Sequence, residues 1–463
     1  MNNRHDRESK FHIFALSAIG VVTLLIILFY AGLYESWSRI PKEKVQYMDD
    51  SYEYNGETSS SADTTPTDVL PSIYITTSGE TITKETYLES SITVSDNDGE
   101  MILDDAPANI KGRGNSTWDL LGEKKPYRIK FHKKQNLFGL GKTKSYVLLA
   151  NQMDNTLLRN EIAFGLAHAM KMAYTPNYKQ VHLFINDSYE GVYLLCEHID
   201  TGSSGVDIET DDGDTINELT DVGFFLEYGG DIDDTHFYFE IVNNSSYNWN
   251  PSFSGEIKYP ETENLTYERI NYISAYVNRL NNAILLKDWN VITELADIPS
   301  LVDYFLINEI MLNGDMGWSM YMYKPAGDVL YFGPPWDFDQ TSGNSTFGAE
   351  THEGFNVPTG CENRWFQALI EIPAFKELAS KRYKEIYGIV HEIPDTINNL
   401  AEHYHADFSK NFLRWDIIGK DRWRQPLAVL KLKTYDENVD YLVDWFKKRI
   451  AWLDNNLISI QTK

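Results

Sequence analysis

The residues best suited to chemistry in this chain stand in one short stretch, GPPWDFDQTSG, at 333–343. Asp337 and Asp339 flank one phenylalanine, and Gly-Pro-Pro-Trp comes directly before them. A metal ligand must be held within a fraction of an ångström, and prolines next to a tryptophan supply such rigidity. The alternative is that both aspartates cap neighbouring turns. The rigid segment before them favours a metal-binding site.

A third acid, Asp315, ends the predicted helix LVDYFLINEIMLNGD and stands 22 residues before Asp337. The segments SMYMYK and VLYFGP between them predict a hairpin, whose two ends lie close together. We therefore expect Asp315, Asp337 and Asp339 to face one space. In phosphoryl transfer, one or two such carboxylates hold Mg²⁺ and another accepts the proton of the attacking hydroxyl group.

A loop of small and polar residues, IKGRGNSTW, leads into the alternating strand KKPYRIKF. In that strand Arg128 and Lys130 share one face. Backbone N–H groups of a glycine-rich turn, together with two cations, can receive phosphate groups. A turn followed by a solvated strand face has the same pattern, so this feature alone leaves both interpretations open.

The wider pattern predicts how these residues are positioned. Alternating strand patterns run from residue 71 to about 260, and helical spacing of apolar residues dominates afterwards. Strands first and helices later predict an α+β fold, with a mostly β lobe at 71–260 and a mostly α lobe at 261–463. The candidate metal-binding turn, 333–343, belongs to the second lobe. A cleft between two lobes is a common place for a ligand.

The N-terminal part predicts a membrane anchor. Residues 13–33 carry no charge, and these 21 residues are about the number that crosses ~30 Å of hydrocarbon as a helix. We interpret 1–10 as a short basic head and 11–34 as a single transmembrane helix. Basic residues flank the helix on both sides and discriminate poorly between orientations. The preferred orientation places the main domain outside the cytoplasm, and the opposite orientation remains the alternative.

Residues 35–70 are interpreted as a linker. Its main part, VQYMDDSYEYNGETSSSADTTPTDVL at 45–70, is acidic, rich in Ser and Thr and without a periodic apolar face. The simplest interpretation is a solvated tether between membrane and domain. A second interpretation makes its hydroxyl groups phosphate acceptors, namely those of Ser59, Ser60, Ser61, Thr64 and Thr65.

The charge balance excludes one class of partner. The chain has 41 basic and 68 acidic residues and a formal net charge of −27. Such a surface repels phosphate backbones, so we predict no nucleic-acid partner.

Six motifs occur in one order: RGNSTW, KKPYRIKF, LLANQMDNTLLRN, GVYLLCEH, INEIMLNGD and GPPWDFD. Together they resemble the spore-coat CotH family of atypical protein kinases, over roughly residues 71–400. The resemblance implies a two-lobed protein-kinase-like fold and transfer of the γ-phosphoryl group of ATP to Ser or Thr hydroxyls, with Mg²⁺ or Mn²⁺. It implies coat or surface proteins as substrates and a location at the spore or cell surface.

The resemblance also assigns roles to residues. Asp315 resembles the catalytic-loop acid, and Asp337 resembles the metal-binding acid of the kinase Asp-Phe-Gly turn. Asp339 stands where typical kinases carry glycine, so which of the two acids binds metal is left open. The implied cofactor-binding residues are Arg113, Asn115 and Ser116 in the phosphate loop, Arg128 and Lys130 in the basic strand, and Glu197 near the nucleotide.

Departures from ordinary kinases keep other functions open. The chain has no GxGxxG loop and no His-Arg-Asp motif. One alternative is a non-catalytic coat or surface assembly module that binds partners through its acidic face. Another is the same phosphoryl transfer onto a hydroxyl group of a glycan or small molecule.

Overall fold

The computed structural model describes residues 69–458, apart from some short stretches. These are residues 115, 120, 121, 123, 200, 202–204, 207, 209–222, 229–236, 243–251, 317, 318, 347 and 357–363. The predicted basic head, transmembrane helix and most of the linker therefore lie outside the described residues, as does Asn115.

The first seven strands form a closed barrel in the order β1-β2-β3-β4-β5-β7-β6. Neighbouring strands run antiparallel except β1 and β6, which are parallel and close the barrel. The strands are β1 Ser72–Thr77, β2 Leu88–Ser95, β3 Met101–Gly112, β4 Tyr127–Gln135, β5 Thr143–Leu149, β6 Tyr178–Ile185 and β7 Ser188–Glu197. Alternate side chains, among them Ile129, Phe131 and Tyr146, fill the barrel interior as one apolar cluster.

A second sheet has five strands in the order β12-β11-β8-β10-β9. Its strands are β8 Phe224–Tyr228, β9 Phe237–Val242, β10 Ser252–Tyr259, β11 Met320–Lys324 and β12 Tyr331–Phe332. The hairpin of β11 and β12, predicted from SMYMYK and VLYFGP, is present. It pairs through β11 with β8, so this sheet contains strands from both sides of residue 260.

Helices make up most of the rest. They are α1 Ser116–Asp119, α2 Arg159–Ala169, α3 Tyr267–Leu285, α4 Trp289–Leu295, α5 Ile298–Met311, α6 Trp365–Ile370, α7 Pro373–Glu385, α8 Tyr387–His391, α9 Ile393–His403, α10 His405–Arg414, α11 Leu427–Leu430 and α12 Tyr435–Leu453. Short 3₁₀ turns lie at Leu137–Gly139 and Thr262–Asn264, and a π turn lies at Asp454–Ile458. Thr434 and Glu437 form a capping box at the start of α12.

A large apolar core joins these helices to the five-stranded sheet and to the outer face of the barrel. Val147 and Cys196 on the barrel, Leu226 in the sheet and Phe305 on α5 all belong to it. Helix α2 crosses this core directly after the barrel strand β5. Its first turn carries polar residues that are themselves buried, so the start of α2 is suited to hold a site between barrel and helices.

The predicted mixed α+β class, with a β-rich N-terminal part and a helical C-terminal part, is confirmed. Closure of the β-rich part into a seven-stranded barrel was not predicted, because strand alternation does not reveal which edges pair.

The predicted localisation, a single-pass membrane protein, is corrected. Within the described residues, no helix is both long and apolar enough to span a bilayer. The two longest, α3 and α12, carry charged residues such as Arg279 and Asp440 along their length.

Candidate active site

The turn with the two aspartates follows β12 and is fixed by two side-chain amides, one distant in sequence and one local. The N–H of Phe338 donates to Asn160 Oδ1 at 2.9 Å. Asn344 Nδ2 donates to the carbonyl oxygen of Asp339 at 2.7 Å. Phe338 itself is fully buried. Both carboxylates are therefore attached to a backbone that is held from two sides.

Asp337 has a φ of 61°, in the left-handed region. A non-glycine residue rarely adopts this conformation, and such residues concentrate at functional sites. Before it, Trp336 is buried and stacks on Phe164 of α2, with ring centroids 5.7 Å apart. The predicted rigid segment therefore rests on α2.

A buried arginine of α2 holds the residues that follow the turn. Arg159 donates from Nε to the carbonyl oxygen of Thr341 at 3.0 Å and from Nη2 to that of Ser342 at 3.1 Å. Its Nη1 forms an ion pair of 2.5 Å with Asp154. One guanidinium therefore connects the turn before α2 with the turn after Asp339.

The predicted phosphate loop folds back onto the end of β3. Gly112 lies directly against the indole ring of Trp118, and a Cβ at residue 112 would overlap that ring. Arg113 follows, with its N–H bonded to the carbonyl oxygen of Pro126 at 3.1 Å. Its guanidinium lies over the ring of Trp336, 5.5 Å from the centroid. The predicted phosphate loop is thus in contact with the candidate metal-binding turn, 333–343, through Arg113 and Trp336. We call this turn the metal turn below.

Arg113 and Trp336 each line two cavities. The large cavity has a volume of about 410 Å³, within the usual size of small-molecule sites. The residues that line the large cavity are Arg113, Arg128, His198, Ile199, Thr201, Phe225, Lys258, Glu261, Tyr321 and Trp336. The narrow cavity, of about 40 Å³, is lined by Arg113, Ser116, Thr117, Pro126, Leu149, Ala150, Asn151, Asn160, Trp336, Asp337, Asp339 and Gln340. Sharing Arg113 and Trp336 joins the two into one candidate site.

The electrostatics of the metal turn are unusual. Burial raises the pKa of Asp339 well above its ordinary value, and the charges of Asp337 and Asp154 raise it further. Burial also raises the pKa of Asp337, against the opposing effect of Arg113. The pKa of Asp315 is raised to about 7 by burial and then by the charge of Asp337. No hydrogen bond from the described residues reaches a carboxylate oxygen of these three aspartates.

The structure brings most of the predicted site residues together. Asp337, Asp339, Arg113 and Ser116 line the narrow cavity, and Arg128 lines the large one. The Nε atom of Arg128 is buried and has no hydrogen-bond partner among the described residues.

Three predicted residues lie apart from the cavities. Lys130 is exposed on the outer face of β4. Glu197 is buried, and it accepts hydrogen bonds from the backbone N–H and the side chain of Asn177, at 3.2 and 3.0 Å. Asp315 lines neither cavity, although the charge of Asp337 raises the pKa of Asp315, and the charge of Asp315 raises that of Asp339.

The residues present fit a magnesium ion in the way that it usually binds at nucleotide sites. Among the described residues, no group of three or more His, Cys, Asp and Glu side chains is placed to hold a metal ion. Mg²⁺ at such sites commonly takes one or two carboxylates and completes its shell with water and substrate phosphates. Asp337 and Asp339 at the narrow cavity supply that donor set.

Sequence reasoning missed two contributors. Asn160 fixes the metal turn and donates to Asn151 Oδ1 at 2.9 Å, and the only available signal was a polar residue in the first turn of an apolar helix. Arg422 donates to Asn155 Oδ1 at 2.6 Å. Burial lowers the pKa of Arg422 to about 10, and the charges of Asp154 and Asp339 oppose this shift. No motif around Arg422 pointed to the site.

Comparison with known proteins identifies the family of the chain. A family model described as CotH kinase protein matches residues 110–453. The match begins in β3, directly before the phosphate loop, and ends with α12, so it contains every residue of the two cavities. No curated protein matches the chain. The family indicates a kinase-type phosphotransferase that uses ATP and a divalent metal, and the chain belongs to the CotH kinase family.

Proposed function

We propose that this protein transfers the γ-phosphoryl group of ATP to Ser or Thr hydroxyls of protein substrates, with a kinase-like cleft between barrel and helices. One observation carries the proposal. The carboxylates of buried Asp339 and of half-buried Asp315 and Asp337 accept no hydrogen bond from the described residues. Asp337 and Asp339 line a cavity beside Arg113. Acids arranged in this way suit a bound cation and a cationic loop suits phosphates.

The large cavity is the proposed place for the nucleotide. Its volume of about 410 Å³ suits a ligand of that size. Arg113 and Arg128 offer guanidinium groups to the phosphates, and Arg128 has a buried N–H still to be paired among the described residues. Aromatic side chains in the lining, Trp336 and Tyr321, offer surfaces for the base.

Asp337 and Asp339 are the proposed metal ligands. A bound Mg²⁺ would neutralise charge on the phosphates and stabilise the leaving oxygen. The chain's own contribution is to hold the two carboxylates rigidly, through Asn160, Asn344 and Arg159, and to keep them otherwise unpaired.

Asp315 is the proposed general base. Its carboxylate would accept the proton of the acceptor hydroxyl as the oxygen attacks the γ-phosphorus. A group with a pKa of about 7 is well matched to proton transfer near neutral pH. Asn313 orients this residue, because its Oδ1 accepts the backbone N–H of Asp315 at 3.1 Å.

The alternative of a non-catalytic assembly module receives less support. A scaffold gains nothing from buried carboxylates that lack partners, since each of them costs free energy of folding. Transfer to a glycan or small-molecule hydroxyl would use the same residues, and the acceptor distinguishes it.

The test uses γ-labelled ATP with Mg²⁺ or Mn²⁺ and a mixture of acidic, Ser-rich proteins as acceptors. Asp315→Ala is expected to retain Mg·ATP-dependent thermal stabilisation and to lower turnover by about 10²-fold or more. Asp337→Asn is expected to lose both. Equal loss of nucleotide binding in the two variants would contradict the assigned roles, and no transfer by the wild type would favour the assembly module.

A further inference from the structure

The outer face of the β4–β5 hairpin carries a concentration of positive charge, of which the proposed phosphoryl transfer uses only Arg128. Residues 124–144 contain eight Lys or Arg residues and no Asp or Glu, in a chain whose net charge is −27. We call six of them the basic strip: Arg128, Lys130, Lys133, Lys134, Lys142 and Lys144. Its lysines are all exposed.

The alternation of β4 directs the first residues of the strip outward. Ile129 and Phe131 point into the barrel, so Arg128 and Lys130 lie on the outer face. Lys130 is opposite Ser145 in the register, and the Ser145 carbonyl oxygen accepts the N–H of His198 at 2.9 Å. Arg128 and His198 both line the large cavity. The strip therefore begins at the rim of the proposed nucleotide site.

Acidic side chains of the described residues do not pair with the lysines of the basic strip. No Asp or Glu among the described residues lies within 4.0 Å of its lysine ammonium groups. Lys111, opposite Arg128 on β3, has its pKa lowered by burial and then by the charges of Arg128 and Lys84. In a protein with this excess of acids, an unpaired basic face is suited to an acidic partner.

The chain contains a segment with matching chemistry. Residues 49–68 hold six acidic residues, no Lys or Arg, and eight Ser or Thr residues. The segment runs directly into Val69, whose N–H is held by Asp407 Oδ2 at 3.2 Å, at the entry to β1.

Length permits the contact. In the barrel order β4 is three strands from β1, and neighbouring strands lie about 4.8 Å apart. Twenty extended residues reach about 66–72 Å, several times the distance around that part of the barrel.

We propose that the basic strip binds the acidic segment 49–68 of this chain and presents its hydroxyl groups, foremost those of Ser59, Ser60 and Ser61, to the active site. The inference rests on the proposed phosphoryl transfer for its second half. A serine oxygen forms a bond to the γ-phosphorus, the bond from that phosphorus to the bridging oxygen breaks, and ADP leaves with the electron pair. The hydroxyl proton passes to Asp315.

The test compares charge reversal at two places in the full-length chain. The strip variant combines Lys130→Glu, Lys133→Glu and Lys134→Glu. The matched control combines Lys376→Glu, Lys384→Glu and Lys447→Glu, three lysines on helices that form no ion pair among the described residues. With Mg·ATP, mass spectrometry follows phosphate on residues 49–68, and thermal stabilisation by Mg·ATP reports the nucleotide site.

The strip variant is expected to slow phosphorylation of the segment about fivefold to tenfold while keeping stabilisation by Mg·ATP. The control should behave like the wild type. The difference should shrink at 1 M salt, where the Debye length falls to about 3 Å. Labelling of the segment at an unchanged rate in the strip variant would overturn the inference and leave the proposed function standing.

A second measurement does not depend on activity. Full-length protein carrying Asp315→Ala is treated with a zero-length carbodiimide, which joins carboxylates to amines in direct contact. Crosslinks from residues 49–68 are expected at Lys130, Lys133 and Lys134 and the neighbouring strip lysines. Crosslinks spread evenly over all exposed lysines, or a strip that retains anionic vesicles or RNA instead, would overturn the docking. Strip crosslinks without any phosphate transfer by the wild type would uphold docking and refute the proposed function.

Discussion

Two buried aspartates, Asp154 and Asp339, are near enough for the charge of one to raise the pKa of the other, and their carboxylates have opposite surroundings. Asp154 is 0 % exposed, and its carboxylate accepts from the N–H and hydroxyl of Thr156 at 2.9 and 2.7 Å. It also accepts from the backbone and guanidinium of Arg159 at 2.8 and 2.5 Å. Asp339 is 7 % exposed, and its carboxylate accepts no hydrogen bond from the described residues.

The difference separates a structural acid from one suited to a ligand. Both residues bear the desolvation cost of a buried carboxylate, and only Asp154 recovers it through partners in the protein. Burial raises the pKa of Asp339 strongly and the charges of Asp337 and Asp154 raise it further, while no hydrogen bond from the described residues to its carboxylate offsets the rise. A cation that arrives with its own charge is the natural means of offsetting the rise.

The largest effect on stability is expected at Asp154, whose carboxylate has hydrogen-bond partners in the protein. Asp154→Asn leaves the buried guanidinium of Arg159 without its counter-ion and is expected to lower the free energy of unfolding by about 3–5 kcal/mol. Urea unfolding measures it. Asp339→Asn is the matched control, with the same chemical change at similar burial. Similar destabilisation by both substitutions would mean that Asp339 has protein partners after all and would remove the contrast.

The second largest effect on stability is expected at Asp339, and it depends on pH. Because the folded-state pKa of Asp339 is raised, the folded protein binds more protons than the unfolded chain once the pH exceeds about 4. Metal-free wild type should therefore lose stability as the pH rises from 5 to 8. Asp339→Asn removes this contribution and is expected to be more stable than the wild type at pH 8, by on the order of 1–2 kcal/mol.

Magnesium sharpens the same comparison. The ion competes with protons for the carboxylates, so its stabilisation of the wild type should be larger at pH 8 than at pH 6. Thermal unfolding with and without Mg²⁺ at the two pH values measures this. In Asp339→Asn, magnesium should raise the unfolding temperature less than in the wild type. Asp154→Asn, studied where it is folded at the starting temperature, should still be stabilised by magnesium. A full magnesium shift in Asp339→Asn would place the ion on Asp337 alone.

The part of this contrast that depends on residues near each other in the sequence could be predicted, and the part that depends on residues far apart in the sequence could not. Asp337 and Asp339 stood out because their rigid environment is local, within GPPWDFD. The bond from Phe338 to Asn160 joins residues 178 positions apart, and no local pattern announces it. The same limit hid the barrel closure, which depends on pairing between β1 and β6.

Glu197 shows how one position along a strand changes the surroundings of a side chain. The family resemblance implied a place near the nucleotide for Glu197, which follows a buried strand pattern in the sequence. The alternation places its neighbour His198 at the large cavity, while Glu197 bonds to Asn177. Sequence alone cannot set this choice, because a shift of one residue exchanges the two faces of a strand.

The smallest expected effect belongs to a third buried acid, between the two extremes. Glu161 accepts hydrogen bonds from Gln180 at 2.8 Å and from Tyr404 at 3.2 Å, both of them neutral donors. Burial raises its pKa to about 7, and these two donors offset part of the rise. Because the folded-state value exceeds the ordinary one, its contribution to stability falls as the pH rises from about 4.5 through 7.

Glu161→Gln keeps the shape and replaces the titrating group by a neutral one. The variant should nearly match the wild type at pH 4.5 and exceed its free energy of unfolding at pH 8, because the wild-type carboxyl ionises less readily in the folded protein than in the unfolded chain. Chemical denaturation at both pH values measures the difference, and magnesium should not change it, since Glu161 lies outside both cavities. A gain of stability that depends on magnesium would connect Glu161 to the metal turn. Without that dependence, a raised pKa alone would not distinguish a ligand-binding acid in this fold. The distinguishing feature would then be a carboxylate that accepts no hydrogen bond from the described residues, as at Asp339.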